Sequence, residues 1–204
     1  VYEEERELTV MLMVDVSSSL LYGTAISQKR DMVTEIAATL AFAAIQNNDK
    51  VGLVFFSDRI EKFIPPQKGK KHILYLIREL LDFVPQSTGT DISVPLEFLI
   101  SAVKKRCTAF LLSDFIGGGN YKNALSIANR KHDVVAIQVY DKRSEELPDV
   151  GLMRIKDLES GEDVYVDTSS KAIRSAHATY WKENQSYIKD CFTRTPHYIR
   201  LRKF

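Results

Sequence analysis

The sequence predicts an α/β chain: a three-layer, doubly wound (Rossmann-like), mostly parallel sheet with one antiparallel edge strand. Three observations carry this. Residues 8–15, 51–56, 108–112 and 134–139 are short, almost continuously apolar segments, as strands covered on both faces must be. Stretches with apolar residues at helical spacing separate most of them. Residues 59–64 alternate polar and apolar side chains, the mark of a half-exposed edge strand.

Taken in order, the first strand stops at the polar run Asp15-Val16-Ser17-Ser18-Ser19. A helix over about 27–46 follows, with Met32, Ile36, Leu40 and Ala43 facing inward. Asn47-Asn48-Asp49 ends it before the second strand. Pro65-Pro66 should close the edge strand, because proline cannot donate to a ladder. A helix over 71–83 places Leu74, Leu76, Ile77 and Leu81 inward, and another runs over 92–105. The third strand ends at Ser113-Asp114, and a helix near 121–131 leads to the fourth. Beyond Asp141, residues 152–158 and 163–166 flank Ser160-Gly161-Glu162 as a hairpin. A long helix with Ile173, His177, Tyr180, Tyr187, Ile188 and Cys191 on one face comes next, then Pro196 and a last strand at 198–201.

With 204 residues, 45% of them hydrophobic, the chain can close one sizeable core, and residues 1–204 are expected to form one domain. The absence of an initial Met is read as the mark of a fragment from a longer protein. Lys plus Arg number 28 against 27 Asp plus Glu, so no net field favours nucleic acid or an anionic membrane. No apolar run approaches the roughly 18 residues of a membrane span. Cys107 and Cys191 lie far apart and form no CxxC pair, which fits a reducing, cytoplasmic setting, with membrane tethering through regions outside the chain left open.

Chemistry concentrates at the carboxyl ends of the strands, where ligands bind in doubly wound sheets. Asp15, Ser17 and Ser19 sit at alternate positions of one tight loop and can converge on a point. Thr88-Gly89-Thr90-Asp91 joins two helices, and Gly89 permits a close approach of backbone to the site. Asp114 follows another buried strand. The ligands Asp15, Ser17, Ser19, Thr90 and Asp114 are all oxygens, which suit Mg²⁺, with Ca²⁺ or Mn²⁺ as alternatives, over Zn²⁺. Asp91 is expected to cap the helix that follows, and Asp58 a turn before Arg59. Lys68, Lys70, Lys71 and His72 surround Gly69 without a Walker pattern and read as a solvated helix start. No histidine shares a motif with a cysteine, and His132 reads as a hydrogen-bonding group at a strand start. Cys107 reads as a small core hydrophobe, and Trp181, Tyr180 and Tyr187 as packing residues.

Asp-x-Ser-x-Ser, then Thr, then Asp, in that chain order, resembles the metal-ion-dependent adhesion site of von Willebrand factor A (VWA) domains. The resemblance implies that the hydroxyls of Ser17, Ser19 and Thr90 bind the metal directly, that Asp15 and Asp114 act largely through water, and that a partner's acidic side chain completes the shell. More narrowly, residues 55–61, 64–70, 112–115, 132–135 and 147–151 are similar to a bacterial subgroup, domain-of-unknown-function family fifty-eight. Members of that subgroup are typically encoded beside MoxR-type AAA+ ATPases. The sequence departs at Ser18 and Leu20, where many A domains carry Gly and Met, and neither change removes a ligand oxygen.

The leading expectation is therefore a metal-dependent protein-interaction module, not an enzyme, working with a MoxR-type ATPase. Two alternatives stand beside it. One is a Mg²⁺-dependent hydrolase, although Ser17 occupies the position where such phosphatases carry a second Asp, and a general base is missing from the motif. The other is a structural domain with an unfilled metal site.

Overall fold

The computed structural model describes residues 7–17, 26–140, 145–156, 163–193 and 197–202. Strands β1 (Thr9–Asp15), β2 (Lys50–Phe56), β3 (Ile60–Gln67), β4 (Thr108–Ser113), β5 (Asp133–Tyr140) and β8 (Tyr198–Arg202) form one sheet. Their spatial order is β3-β2-β1-β4-β5-β8. Every pairing is parallel except β2 with the edge strand β3. The chain thus adopts the expected fold class. A separate hairpin, β6 (Leu152–Lys156) with β7 (Asp163–Asp167), stands outside the sheet. The expected hairpin turn Ser160-Gly161-Glu162 and Pro196 lie outside the described residues.

The helices are α1 (Ile26–Gln46), α2 (Lys70–Asp82), α3 (Ser93–Ala102), α4 (Lys122–Lys131) and α5 (Lys171–Phe192). Alternate residues of each strand serve opposite layers. Val10, Leu12 and Val14 of β1 join a cluster with α1 and α2, whereas Met11 and Met13 join α3, α4 and α5 on the other face. The chain leaves β1 toward β2 through α1, and returns from β3 to β4 on the far side of β1. The carboxyl ends of β1 and β4 therefore form the topological switch point, where doubly wound folds place ligands.

The structure corrects several helix faces. On α1 the buried stripe is Lys29, Val33, Ala37, Ala41 and Ala44, one residue out of phase with the expected one, and Ala43 is exposed. Met32, Ile36 and Leu40 pack only partly buried beside it. Small residues let the helix approach the sheet closely, so they win the inner face. On α2, Ile73, Leu76 and Leu80 are buried, while Leu74 and Leu81 face solvent. On α5 the buried positions are Trp181, Gln185, Ile188 and Phe192, and Tyr180 is exposed.

The edge strand also corrects the sequence reading, since β3 runs through both prolines. Leu53 pairs Ile64 and Val51 pairs Gln67, so Gly52 alone opposes Pro65 and Pro66 in a β-bulge. Edge strands and bulges are the positions where a missing N–H is tolerated. The fit there is tight: a Cβ on Gly52 would lie 2.7 Å from Met11 Sδ and 3.0 Å from the Pro66 nitrogen.

Candidate metal centre

β1 delivers Asp15 to the switch point, and the loop beyond it stays on the sheet because the Val16 amide donates to the Phe56 carbonyl at 2.8 Å. The parallel register pairs Val14 with Leu112, so the next step sets Asp15 beside Ser113. Ser113 Oγ donates to Asp15 Oδ2 at 2.5 Å, and the Ser17 amide donates to Asp15 Oδ1 at 2.8 Å. Asp15, Ser17, Ser113 and Asp114 are all buried. Burial, and then the neighbouring charge of Asp114, push the Asp15 carboxyl up to about 7 against the opposing pull of the Ser113 and Ser17 hydrogen bonds.

Asp114 leaves β4 in a turn of its own. Its Oδ1 accepts the Ile116 amide at 3.1 Å, and its carbonyl accepts Gln138 Nε2 at 3.0 Å. The Tyr198 hydroxyl donates in turn to Gln138 Oε1. The next residue, Phe115, takes a left-handed backbone (φ 59°), which costs a non-glycine residue roughly 1–2 kcal/mol. Its neighbours hold it there. The Phe115 amide donates to Ser113 Oγ, its carbonyl accepts Asn184 Nδ2 from α5, and its buried ring packs edge-on against Phe192.

The segment that carries Thr90 is tied to the ends of two strands by the backbone of the residues after it. The Asp91 amide donates to the Ser57 carbonyl just past β2, and the Ile92 amide donates to the Gly118 carbonyl past β4. Gly118 is packed so closely that a Cβ there would lie 2.6 Å from Ile92 Cγ1. Half-buried Thr90 is therefore held between the ends of β2 and β4. Asp91 Oδ1 accepts the Ser93 amide at 2.8 Å and steadies the start of α3, as expected of a capping residue. At Gly89 the side-chain direction is filled by Asp58: a methyl group added there would lie 3.3 Å from Asp58 Cβ. Asp58 itself bonds Ser87 and Ser57, which hold its carboxyl below the usual range.

The structure thus gathers Asp15, Ser17 and Asp114 into one buried cluster, leaves Thr90 half-buried on the segment between the ends of β2 and β4, and does not describe Ser19. Three contributors were missed. Ser113 orients Asp15. Glu61, with its side chain only 2% exposed, accepts Ser57 Oγ and the amides of Gln86 and Ser87, clasping the segment that leads to Thr90. Lys29 places Nζ 3.6 Å from Asp114 Oδ2 with its own side chain 10% exposed. The available signal for Lys29 was its place in the inward stripe of α1, four residues before Val33.

Two buried carboxyl groups face one buried ammonium, and the neighbouring side-chain oxygens are hydroxyls. That set suits a hard divalent cation. Among the described residues, no group of three or more His, Cys, Asp or Glu side chains could hold a metal. Any ion here relies on hydroxyls to complete its shell.

At the opposite end of the strands, Cys107 Sγ lies 3.3 Å from His132 Nδ1, a pairing the sequence did not suggest. Burial pushes the thiol up to about 11 and lowers the imidazole, so both stay neutral and the pair is not a thiolate nucleophile. Cys107 is thereby a core residue, as expected.

The whole arrangement has relatives. The chain is 33% identical over 159 residues to uncharacterised proteins of Mycobacterium bovis (Mb1516) and Mycobacterium tuberculosis (Rv1480), over 77% of this chain and 50% of each of those. It spans about half the length of these relatives. Among solved structures, the conserved hypothetical protein BatB from Bacteroides thetaiotaomicron superposes with a TM-score of 0.59 at 15% identity, over 97% of this chain and 91% of that one. An aerotolerance-related membrane protein from Bacteroides fragilis gives 0.58 at 16% identity, over 95% and 91%. Proximal thread matrix protein 1 from the mussel byssus gives 0.54 at 18% identity, over 65% and 38%. These likenesses show a VWA-like fold. Among the described residues, no helix is long and apolar enough to cross a membrane. The model of the family described as proteins of unknown function DUF58 matches residues 1–187, and the chain belongs to that family.

Proposed function

We propose that the chain is a metal-dependent protein-interaction module. Asp15, Ser17, Ser19, Thr90 and Asp114 would hold one divalent cation, Mg²⁺ in preference to Ca²⁺ or Mn²⁺, at the switch point of the sheet. The observation that carries this reading is the meeting of Asp15 and Asp114, both buried, beside Ser17 at the carboxyl ends of β1 and β4. Burying two like charges is costly unless something neutralises them. When bound, the ion would offer an open coordination position to an Asp or Glu side chain of a protein partner.

Within the chain, Ser113 and the Ser17 amide fix the two Asp15 oxygens, and the Ile116 amide fixes Asp114. The site is therefore organised before a ligand arrives, which lowers the entropic cost of binding. We read the module as non-enzymatic, because the carboxyl and hydroxyl groups gathered here are those assigned to the cation, with no separate base and nucleophile pair beside them. The resemblance to VWA proteins encoded beside MoxR-type ATPases makes such an ATPase, or a client it remodels, the favoured partner. Tethering to a membrane through parts of the parent protein is compatible with this reading.

Metal and partner binding should be thermodynamically linked, each strengthening the other. Calorimetric titration of the chain with a purified MoxR-type ATPase, in Mg²⁺ and in EDTA, tests this. Binding is expected in Mg²⁺ and lost in EDTA or with Asp15→Ala. Undiminished binding without metal would remove the docking role.

A further inference from the structure

Lys29 is the one buried lysine among the described residues, and it lies in the first turns of α1 with Nζ 3.6 Å from Asp114 Oδ2. An ammonium is strongly hydrated, and its burial needs a compensating anion. The nearby anion is one of the two carboxylates assigned to the divalent cation above. The next residue, Arg30, donates to the carbonyls of Leu81 and Phe83 at the end of α2, at 3.1 and 2.6 Å, and so pins this part of α1. With the helix tied there, release of Lys29 from Asp114 would have to come from rotation of its side chain and not from movement of α1.

Resting on that metal reading, we infer that the Lys29 ammonium is a tethered counter-ion that competes with the divalent cation for Asp114 and is expelled when the metal binds. The physical reason is charge. Asp15, Asp114 and Lys29 together carry at most one net negative charge, and adding a dication with Lys29 still in place would bring two cationic centres into one buried cluster. Expulsion returns the ammonium to water and gives the whole carboxylate pair to the metal. The metal-free state is then stabilised by Lys29, metal affinity is set low, and occupancy becomes responsive to cation concentration. A side chain hidden in one state and solvated in the other would also report occupancy to solvent.

The test uses Mn²⁺ binding followed by electron paramagnetic resonance, with wild type, Lys29→Met, Lys29→Arg and Asp114→Asn, each checked for folding by circular dichroism. Lys29→Met keeps the apolar stem and removes the charge, and it should bind Mn²⁺ on the order of tenfold tighter than wild type, or more. Lys29→Arg keeps the charge and should bind no tighter than wild type. Asp114→Asn should lose the site. In parallel, amine acetylation read by mass spectrometry should show Lys29 of the wild-type chain protected without metal and modified in saturating Mg²⁺, relative to the other lysines. If wild type binds Mn²⁺ while Lys29→Met binds equally or more weakly, Lys29 supports the metal and the competition idea is overturned with the metal reading intact. Unchanged protection of Lys29 in saturating Mg²⁺ overturns it likewise. If neither wild type nor Lys29→Met binds, the metal reading itself falls and takes this inference with it.

Discussion

Ser113 Oγ and Asp15 Oδ2, 98 residues apart in sequence, meet at 2.5 Å across the β4–β1 pairing. The same serine oxygen accepts the amide of Phe115, the residue with the left-handed backbone. One hydroxyl thus orients a carboxylate of the proposed centre and steadies the strained turn beside the other. Ser113→Ala leaves a buried carboxylate oxygen and a buried amide each short of a partner. The expected loss is about 1–3 kcal/mol of stability, measured by urea unfolding. Mn²⁺ affinity should fall with it, because Asp15 is no longer held in place. Unchanged stability would mean that water takes over both bonds.

Gly52 sits where the sheet has no room for a side chain. Gly52→Ala brings a methyl to 2.7 Å from Met11 Sδ and 3.0 Å from the Pro66 nitrogen. Met11 can shift, but the backbone of the bulge cannot do so without disturbing β3. The expected cost is about 1–3 kcal/mol of overpacking, seen as a lower denaturant midpoint. The double variant Gly52→Ala with Met11→Ala should not recover wild-type stability, since Pro66 still collides and a cavity is added. Full recovery would place the whole conflict at the methionine.

Lys62 and Glu79 join the edge strand to α2 through a 2.6 Å contact. The lysine holds the Glu79 carboxyl below its ordinary value of 4.5, and the glutamate holds the Lys62 ammonium above its ordinary 10.5. A lowered acid contributes stability above its unfolded value and loses it as pH falls through the folded one. A raised base contributes below its unfolded value and loses it as pH rises through the folded one. The pair should therefore couple fully between about pH 5 and about pH 10 and fade at both ends. Because both side chains are partly solvated, a double-mutant cycle at pH 7 should read about 0.2–1 kcal/mol. A coupling that persists at pH 3 would show that packing, and not charge, joins the two.

Cys107 should resist alkylation. Its thiol is buried and raised to about 11, so little thiolate exists at pH 8. Iodoacetamide should leave Cys107 unmodified in the native chain and label it within minutes in denaturant, as read by peptide mass spectrometry. Rapid native labelling would mean that the ends of β4 and β5 open readily.

The strands were legible because a strand covered on both faces writes its signature in unbroken apolar residues, and the meeting of Asp15, Ser17 and Asp114 was legible because they lie at or just past the ends of two such strands. Helix faces were not. On α1, Met32, Ile36 and Leu40 form one apolar stripe, and Val33, Ala37 and Ala41 form another beside it. Periodicity admits either, and only the close approach of helix to sheet selects the smaller set. Lys29 escaped for the same reason: a lysine reads as surface until the inward phase is known. The contact of Cys107 with His132 depends on the β4–β5 register that pairs Thr108 with Asp133, a fact of three dimensions with no local trace.

The proposed metal centre predicts its own effect on stability. A cation that binds the native chain and not the unfolded one stabilises by about 2.7 kcal/mol at a hundred times its dissociation constant. For a chain of this length, each kcal/mol shifts the melting midpoint by roughly 2–4 °C. Millimolar Mg²⁺ should therefore raise the midpoint by several degrees if the dissociation constant is in the tens of micromolar or below. Asp15→Asn keeps the shape of the side chain, removes its charge and should abolish the shift, as should Asp114→Asn. A scaffold whose centre stays unfilled would show no shift in wild type at any cation concentration. A shift that survives in both variants would come from another site, and would detach Asp15 and Asp114 from metal binding altogether.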